Sequence, residues 1–493
     1  MKRALALLVG GVLILGSALA AHAQAPTVSF GGQMRVYGFA FDNVTDFKNS
    51  EGGAFRDSNS FYFQRWRLFT NVESADKKAK AVWALEVGDI TWGNGGGASG
   101  GEYRGCAGQT APIGGVTIPP PAGSPPGTPG TVVPVGGVGG TSRVGNGSGG
   151  CLGADGINVE TKHAYIWADL GQWLPGSSVT LGLQSIVFLT GPLGGFMDDD
   201  GAAIKLNMKF DPVDVELYTV KVGETNRANA DDADMYVGRV GFTINPAMRA
   251  TLEGMLVDEK SLGGANLGDT FWIGATFAGK FGDVQIDVGA VYGQRARGGV
   301  APATGPFDES GYGGFVAARL PVGPVSLFVL GWYTSGDDTV GPAGCGTGAG
   351  GGLAGCDTAN YNLTKDSDKL PLPIGGASWF GGGGPYIAEW LFGNSSIGAP
   401  GVGQVQYADP TGTYGVGASA SYAITPALSV GGGAAYVGAT DASGPYGDSL
   451  FEFDAGATYR FNPNLVFNLF GGFMIPDSGD EAWAVAFRTQ YSF

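Results

Sequence analysis

The sequence predicts an all-β chain, closed as an antiparallel β-barrel of about 18 strands. Three observations carry that expectation. Apolar and polar residues alternate with period two over much of the chain, very short turns alternate with longer polar loops, and the chain ends on an aromatic residue in the same alternation. Helical periodicity is almost absent after the first two dozen residues.

The N-terminus reads differently. Lys2 and Arg3 precede the apolar run "ALALLVGGVLILGSALA", and "AHAQA" supplies small residues for cleavage. This is the three-part layout of a secretory signal peptide, assigned to residues 1–23, which leaves 24–493 as a single exported unit. Losing Lys2 and Arg3 moves the formal charge from −16 to −18. So acidic a chain is unsuited to nucleic acid, whose phosphates are neutralised by Lys and Arg. With 43% hydrophobic and 11% aromatic residues it is also too apolar for disorder. Beyond the signal no segment approaches the ~18 consecutive apolar residues of a spanning helix.

A first strand is expected at 28–42. Eight short turns follow in order: "SADKK", "QWLPGSS", "DPVD", "NPAM", "GKFGD", "PVGP", "TPAL" and "NPNL", several with proline in a turn-favouring position. Eight hairpins make sixteen strands; the first strand and a last one at 482–493 bring the number to 18, or 16 if one faint hairpin is misread. The faces are clearest in "SLFEFDAGATYRFN", where Phe451, Phe453, Ala455, Ala457, Tyr459 and Phe461 alternate with Glu452, Asp454, Gly456, Thr458 and Arg460. Ile204, Leu206, Met208 and Phe210 likewise alternate with Lys205, Asn207 and Lys209, and Tyr236, Val240, Phe242 and Ile244 with Arg239 and Thr243.

Short turns on one rim and long loops on the other is the arrangement of a transmembrane barrel with short periplasmic turns and long extracellular loops. The apolar face meets lipid and the polar face lines water. Tyr62, Trp66, Tyr165, Trp167, Tyr459, Trp483 and Tyr491 are assigned to interfacial aromatic girdles. The polar face collects Arg35, Arg65, Arg67, Lys205, Lys209, Arg239, Arg249, Arg319, Arg460 and Arg488, with Glu216, Glu253, Asp287, Glu452 and Asp454. An Arg or Lys facing mid-depth lipid costs about 2–4 kcal/mol, so the lumen is where these belong. At this strand number the lumen is wide enough for water.

Two loops are long and rich in Gly and Pro, at about 93–156 and 338–410. Cys106 and Cys151 lie in the first, Cys345 and Cys356 in the second. Four cysteines allow three pairings in an exported chain; each sequence-local pair sits in its own loop, which favours Cys106–Cys151 and Cys345–Cys356. In the second loop, "SWFGGGGPYIAEWLFG" carries enough aromatic residues to fold inward as a partial plug.

Enzyme chemistry finds little support. His163 is the only histidine left after the signal, which takes His22, and a wall or rim histidine is its plainer reading. "NADDAD" (Asp231, Asp232, Asp234) lacks the spacing of a calcium loop, and the glycine runs lack the GK[ST] of a phosphate loop. The sequence implies neither a metal nor a cofactor.

The third long-side connection reads "IVFLTGPLGGFMDDDG". Here the chain resembles the general porins of Gram-negative bacteria, whose third extracellular loop folds into the barrel with acidic residues opposite a basic wall. The resemblance implies a pore constriction at Asp198, Asp199 and Asp200, faced by Arg35, Arg65 and Arg67. It also implies a water-filled channel for passive diffusion of small hydrophilic solutes and ions, a bacterial outer-membrane location and a homotrimer. Tyr491 and the terminal Phe493 resemble the C-terminal signal read by barrel-assembly machinery. Two other functions fit the same barrel: a channel specific for a sugar, carboxylate or phosphate, or a structural or adhesive surface barrel. The excess of carboxylates leads to an expectation of mild cation preference.

Overall fold

The structure is a computed structural model describing residues 25–43, 58–91, 116–118, 131–133, 159–191, 194–223, 233–259, 269–296, 308–334, 413–439 and 448–493. The signal segment, the four cysteines and the "SWFGGGGPYIAEWLFG" segment lie outside those residues. The strands in order are β1 (Thr27–Asp42), β2 (Ser58–Glu73), β3 (Ala79–Thr91), β4 (Val116–Ile118) and β5 (Thr131–Val133). Then come β6 (Val159–Asp169), β7 (Ser177–Gly191), β8 (Gly194–Phe210), β9 (Val213–Gly223) and β10 (Ala233–Asn245). Next are β11 (Met248–Glu259), β12 (Thr270–Phe281), β13 (Val284–Ala296), β14 (Asp308–Val322) and β15 (Val325–Thr334). The last five are β16 (Thr413–Ala423), β17 (Leu428–Ala439), β18 (Ser449–Arg460), β19 (Leu465–Pro476) and β20 (Ala482–Ser492).

Among the described residues β4 and β5 pair only with each other. The other strands form one 18-stranded antiparallel sheet, each pairing with its chain neighbours. The sheet closes where β1 pairs with β20, from Gln33↔Ser492 to Asp42↔Trp483, while its other edge pairs with β2. All eight short turns fall where the sequence places them, so the expected 18 strands are present. Barrel strands run from 10 to 17 residues, enough to cross hydrocarbon at a tilt.

The two faces separate as the alternation requires. On β18, Phe451 and Phe453 are 49% and 47% exposed outward, while Glu452 and Asp454 are buried inward at 0% and 7%. Val28, Phe30, Val240, Phe242, Leu252, Ile273, Val416 and Val485 extend the apolar outer surface round the barrel. Water would be a poor solvent for a belt this continuous; hydrocarbon is a good one. Aromatic pairs mark both rims. Tyr436 and Phe451 meet at 5.0 Å near the long-loop end, and Tyr459 and Phe467 at 6.5 Å near the short-turn end.

Tyr165 and Trp167 are corrections to the girdle. Their neighbour Ile166 is 57% exposed on the outside, and both rings lie on the inner wall, where they border a cavity. "HAYIWA" is apolar on both faces, so alternation could not give its parity, and a register shift in β6 beside His163 displaces it further.

The C-terminus completes the seam. Phe493 N–H donates to Gly32 O at 3.1 Å and Gly32 N–H donates to Phe493 O at 3.0 Å, extending the closing ladder past Ser492. A Cβ at residue 32 would strike Arg67 O and the Phe493 ring, so glycine is required there. Deleting Phe493 removes both bonds and the ring stacked on Tyr491. The yield of folded barrel, read as the heat-modifiable fraction on a gel, is expected to fall severalfold, with conductance of the surviving barrels little altered.

Candidate functional site

The lumen is narrowed by one element of its own wall. β7 and β8 are joined through residues 192–193, and the long-loop end of their hairpin leans across the interior. Leu189 N–H donates to Oε2 of Glu253 on β11 at 2.7 Å, and Tyr218 Oη on β9 donates to Val187 O at 3.0 Å. Leu189 also lies against Gly274 on β12, where any Cβ would collide with its Cδ1. Beneath the hairpin Ile186, Phe188 and Leu189 pack on Met235, Val237, Met255, Trp272 and Val291, all buried. These inward apolar residues on β10 to β13 depart from the expected polar lining. The hairpin covers them, and that is the physical reason a water-facing position tolerates Trp272 or Met255.

A chain of charges surrounds the two anchor points. Lys205 Nζ lies 3.1 Å from Glu216 Oε2 and stands over the Tyr218 ring at 5.4 Å. Arg239 bridges Glu216 at 3.8 Å and Glu253 at 3.4 Å. Glu253, 1% exposed, therefore accepts from a backbone amide while pairing with a guanidinium. A buried carboxylate needs this compensation, since losing one partner of a buried pair costs about 3–5 kcal/mol. Leu189 adopts φ 50, a left-handed conformation costing a non-glycine residue about 1–2 kcal/mol, and the Glu253 bond and its burial hold it there.

The sequence-assigned residues are distributed as follows. Arg35 bonds Gln33 Oε1 at 2.9 Å and Tyr37 Oη at 3.2 Å on β1. Arg67 Nε donates to Glu86 Oε2, and Arg65 lies 3.4 Å from the other oxygen of that carboxylate, making one cluster on β2 and β3. Lys205 and Arg239 belong to the anchoring chain, while Lys209 stands opposite Asp214 in the β8–β9 register near the short-turn rim. In the hairpin ladder Asp198, Asp199 and Asp200 oppose Val187, Ile186 and Ser185. The side chains of Asp198 and Asp199 lie outside those described; Asp200 reaches Lys162 at 2.5 Å and His163 at 2.9 Å, both on β6.

Sequence reasoning missed Glu86, Lys162 and Tyr218. Glu86 and Tyr218 follow from parity, since Glu86 shares a face with Val82 and Ala84, and Tyr218 with Glu216. Lys162 sits at the β6 register shift, and no signal in the sequence gives its direction.

No family model matches the chain, and no curated protein does. Solved structures similar in overall shape include OpdK of Pseudomonas aeruginosa with vanillate, at 8% identity and TM-score 0.47, covering 94% of this chain and 98% of that one. A BenF-like porin from Pseudomonas fluorescens Pf-5 is 10% identical with TM-score 0.49, covering 94% and 98%. OccAB4 of Acinetobacter baumannii is 8% identical with TM-score 0.49, covering 96% and 99%. Likeness at this level carries no argument about solute, and the functional reading rests on the geometry above.

Glu253→Ala strands the Leu189 amide, at about 1–3 kcal/mol for the unsatisfied group, and leaves the Arg239 guanidinium with Glu216 alone. Single-channel recordings of folded Glu253→Ala are expected to show larger current fluctuations than wild type as the hairpin leaves the wall. Glu253→Gln, which keeps an acceptor for the amide, should be intermediate.

Proposed function

We propose that this chain is an outer-membrane channel that lets small hydrophilic solutes and ions diffuse passively through a lumen narrowed by the β7–β8 hairpin. The observation that supports this most is the inward docking of that hairpin inside a closed, lipid-belted barrel whose inner wall carries paired charges. A barrel built only as scaffold has no need of a charged lumen, and a reaction centre would need a positioned nucleophile or metal beside the Asp200–His163 pair. Solutes move down their gradients; the wall supplies water-like contacts and the hairpin sets the cross-section.

The arrangement also supports a specific channel. On β2 and β3, Arg65 and Arg67 share the carboxylate of Glu86, and on β1 Arg35 bonds Gln33 and Tyr37, so guanidiniums outnumber the carboxylate in this cluster. Such a basic arc favours anionic solutes locally even in an acidic chain. The constriction aspartates, the two loop disulfides, cleavage of the signal peptide and assembly as a homotrimer by barrel-assembly machinery belong to the same proposal.

Purified folded protein in a planar bilayer is expected to give stepwise conductance, and the sign of its reversal potential in a salt gradient separates cation from anion preference. Absence of conductance would overturn the channel reading. Saturable uptake of one anion, weakened in Arg65→Ala or Arg67→Ala, selects the specific channel; uptake that follows solute size alone selects the general one.

A further inference from the structure

A cavity of about 470 Å³ opens on the inner wall between the docked hairpin and the short-turn rim. That volume lies within the usual range for small-molecule sites, about 300–1,000 Å³. Its lining comes from five strands and a turn, and beside the carboxylate of Glu73 it offers a ligand three kinds of group. Lys77, Lys80 and Lys205 bring ammonium groups, Tyr165 and Trp167 bring rings, and Thr180 and Asn207 bring a hydroxyl and an amide.

The ammonium groups are not equivalent. Lys205 is committed to Glu216 at 3.1 Å. Lys80 stands opposite Glu73 in the β2–β3 register, and among the described residues neither Lys77 nor Lys80 has an ion-pair partner. Lys77 is placed by a tight turn. Its N–H donates to Ser74 O at 2.9 Å, and Asp76 Oδ1 accepts from Ser74 Oγ at 2.7 Å and from Lys78 N–H at 3.1 Å. Those two bonds hold the Asp76 carboxyl below the usual carboxylate range, so it stays charged and the turn stays closed. The cavity thus sets Lys77 and Lys80 at its mouth against the single carboxylate of Glu73, a net positive charge, with aromatic faces further in.

We infer that this cavity is a binding station for an acidic sugar, whose carboxylate meets Lys77 and Lys80 and whose ring lies against Trp167 and Tyr165. A simple anion would use the lysines and leave the rings idle. A neutral sugar would use the rings, Thr180 and Asn207 and leave one of the two cations without a counter-charge, since Glu73 answers only the other. An acidic sugar uses all three kinds of group. The inference rests on the channel reading, because a station this close to the short-turn rim matters only if solute passes the hairpin.

The test uses the full folded chain in a planar bilayer, with D-glucuronate, D-glucose and acetate each added from the short-turn side. Glucuronate is expected to give resolved current blockades that outlast those of glucose and of acetate. The double variant Lys77→Gln, Lys80→Gln and the single variant Trp167→Ala, each verified as folded by heat-modifiable mobility, should each shorten the blockades about tenfold. Blockades no longer than those of acetate, or unchanged in both variants, overturn the station. Should no current appear at all, the channel reading fails separately. Calorimetric titration of glucuronate into detergent-solubilised protein then decides the site: saturable heat lost in the lysine variant upholds it, and no saturable heat overturns it.

Discussion

The constraint behind the whole structure is that a backbone N–H or C=O in hydrocarbon has no water to bond. Each strand must have two paired neighbours, which no open sheet can provide at its edges. The ladder between β1 and β20 meets that demand, and the last two backbone bonds, between Gly32 and Phe493, carry it to the final residue. Everything else in the chain is permitted once the ring is closed. Outward residues need only be apolar, loops of any length can be inserted on one rim, and the lumen is free to hold charge.

That freedom is used unevenly round the barrel. On β8 to β11 the inner wall is a connected set of cations and carboxylates, running from Lys205 through Glu216 and Arg239 to Glu253. The apolar patch formed by Met235, Met255 and Trp272 lies beside it and is covered by the hairpin. The two halves need each other. Without the hairpin the patch would face water, and without the polar set the hairpin's backbone would have lost solvent and gained no partner.

Much of the architecture was legible in the sequence because period two is a local property and short turns have chemical signatures. Phe451, Phe453 and Tyr459 against Glu452 and Asp454 could be placed by counting alone, and each of the eight short turns announced itself. Legibility failed where a strand is apolar on both faces or shifts register. Tyr165 and Trp167 read as girdle aromatics because nothing local distinguishes a lipid-facing ring from a lumen-facing one. The inward bend of β7 and β8 was suggested by position, yet its anchors were hidden. Leu189 meets Glu253 across 64 positions of sequence, and the contact depends on barrel closure bringing distant strands to one side.

The anchoring of the hairpin has a consequence for how such a channel can diverge. Its two hydrogen bonds grip a carbonyl at Val187 and an amide at Leu189, atoms that nearly every amino acid possesses. The clasp is therefore indifferent to much of the hairpin's side-chain spelling. Substitutions along the strand that returns from the tip, short of Asp200, can change the charge of the hairpin while the same two wall residues hold its backbone. Asp200 is the exception on that strand, since its carboxylate, paired with Lys162 and His163, ties the hairpin to β6 through a side chain.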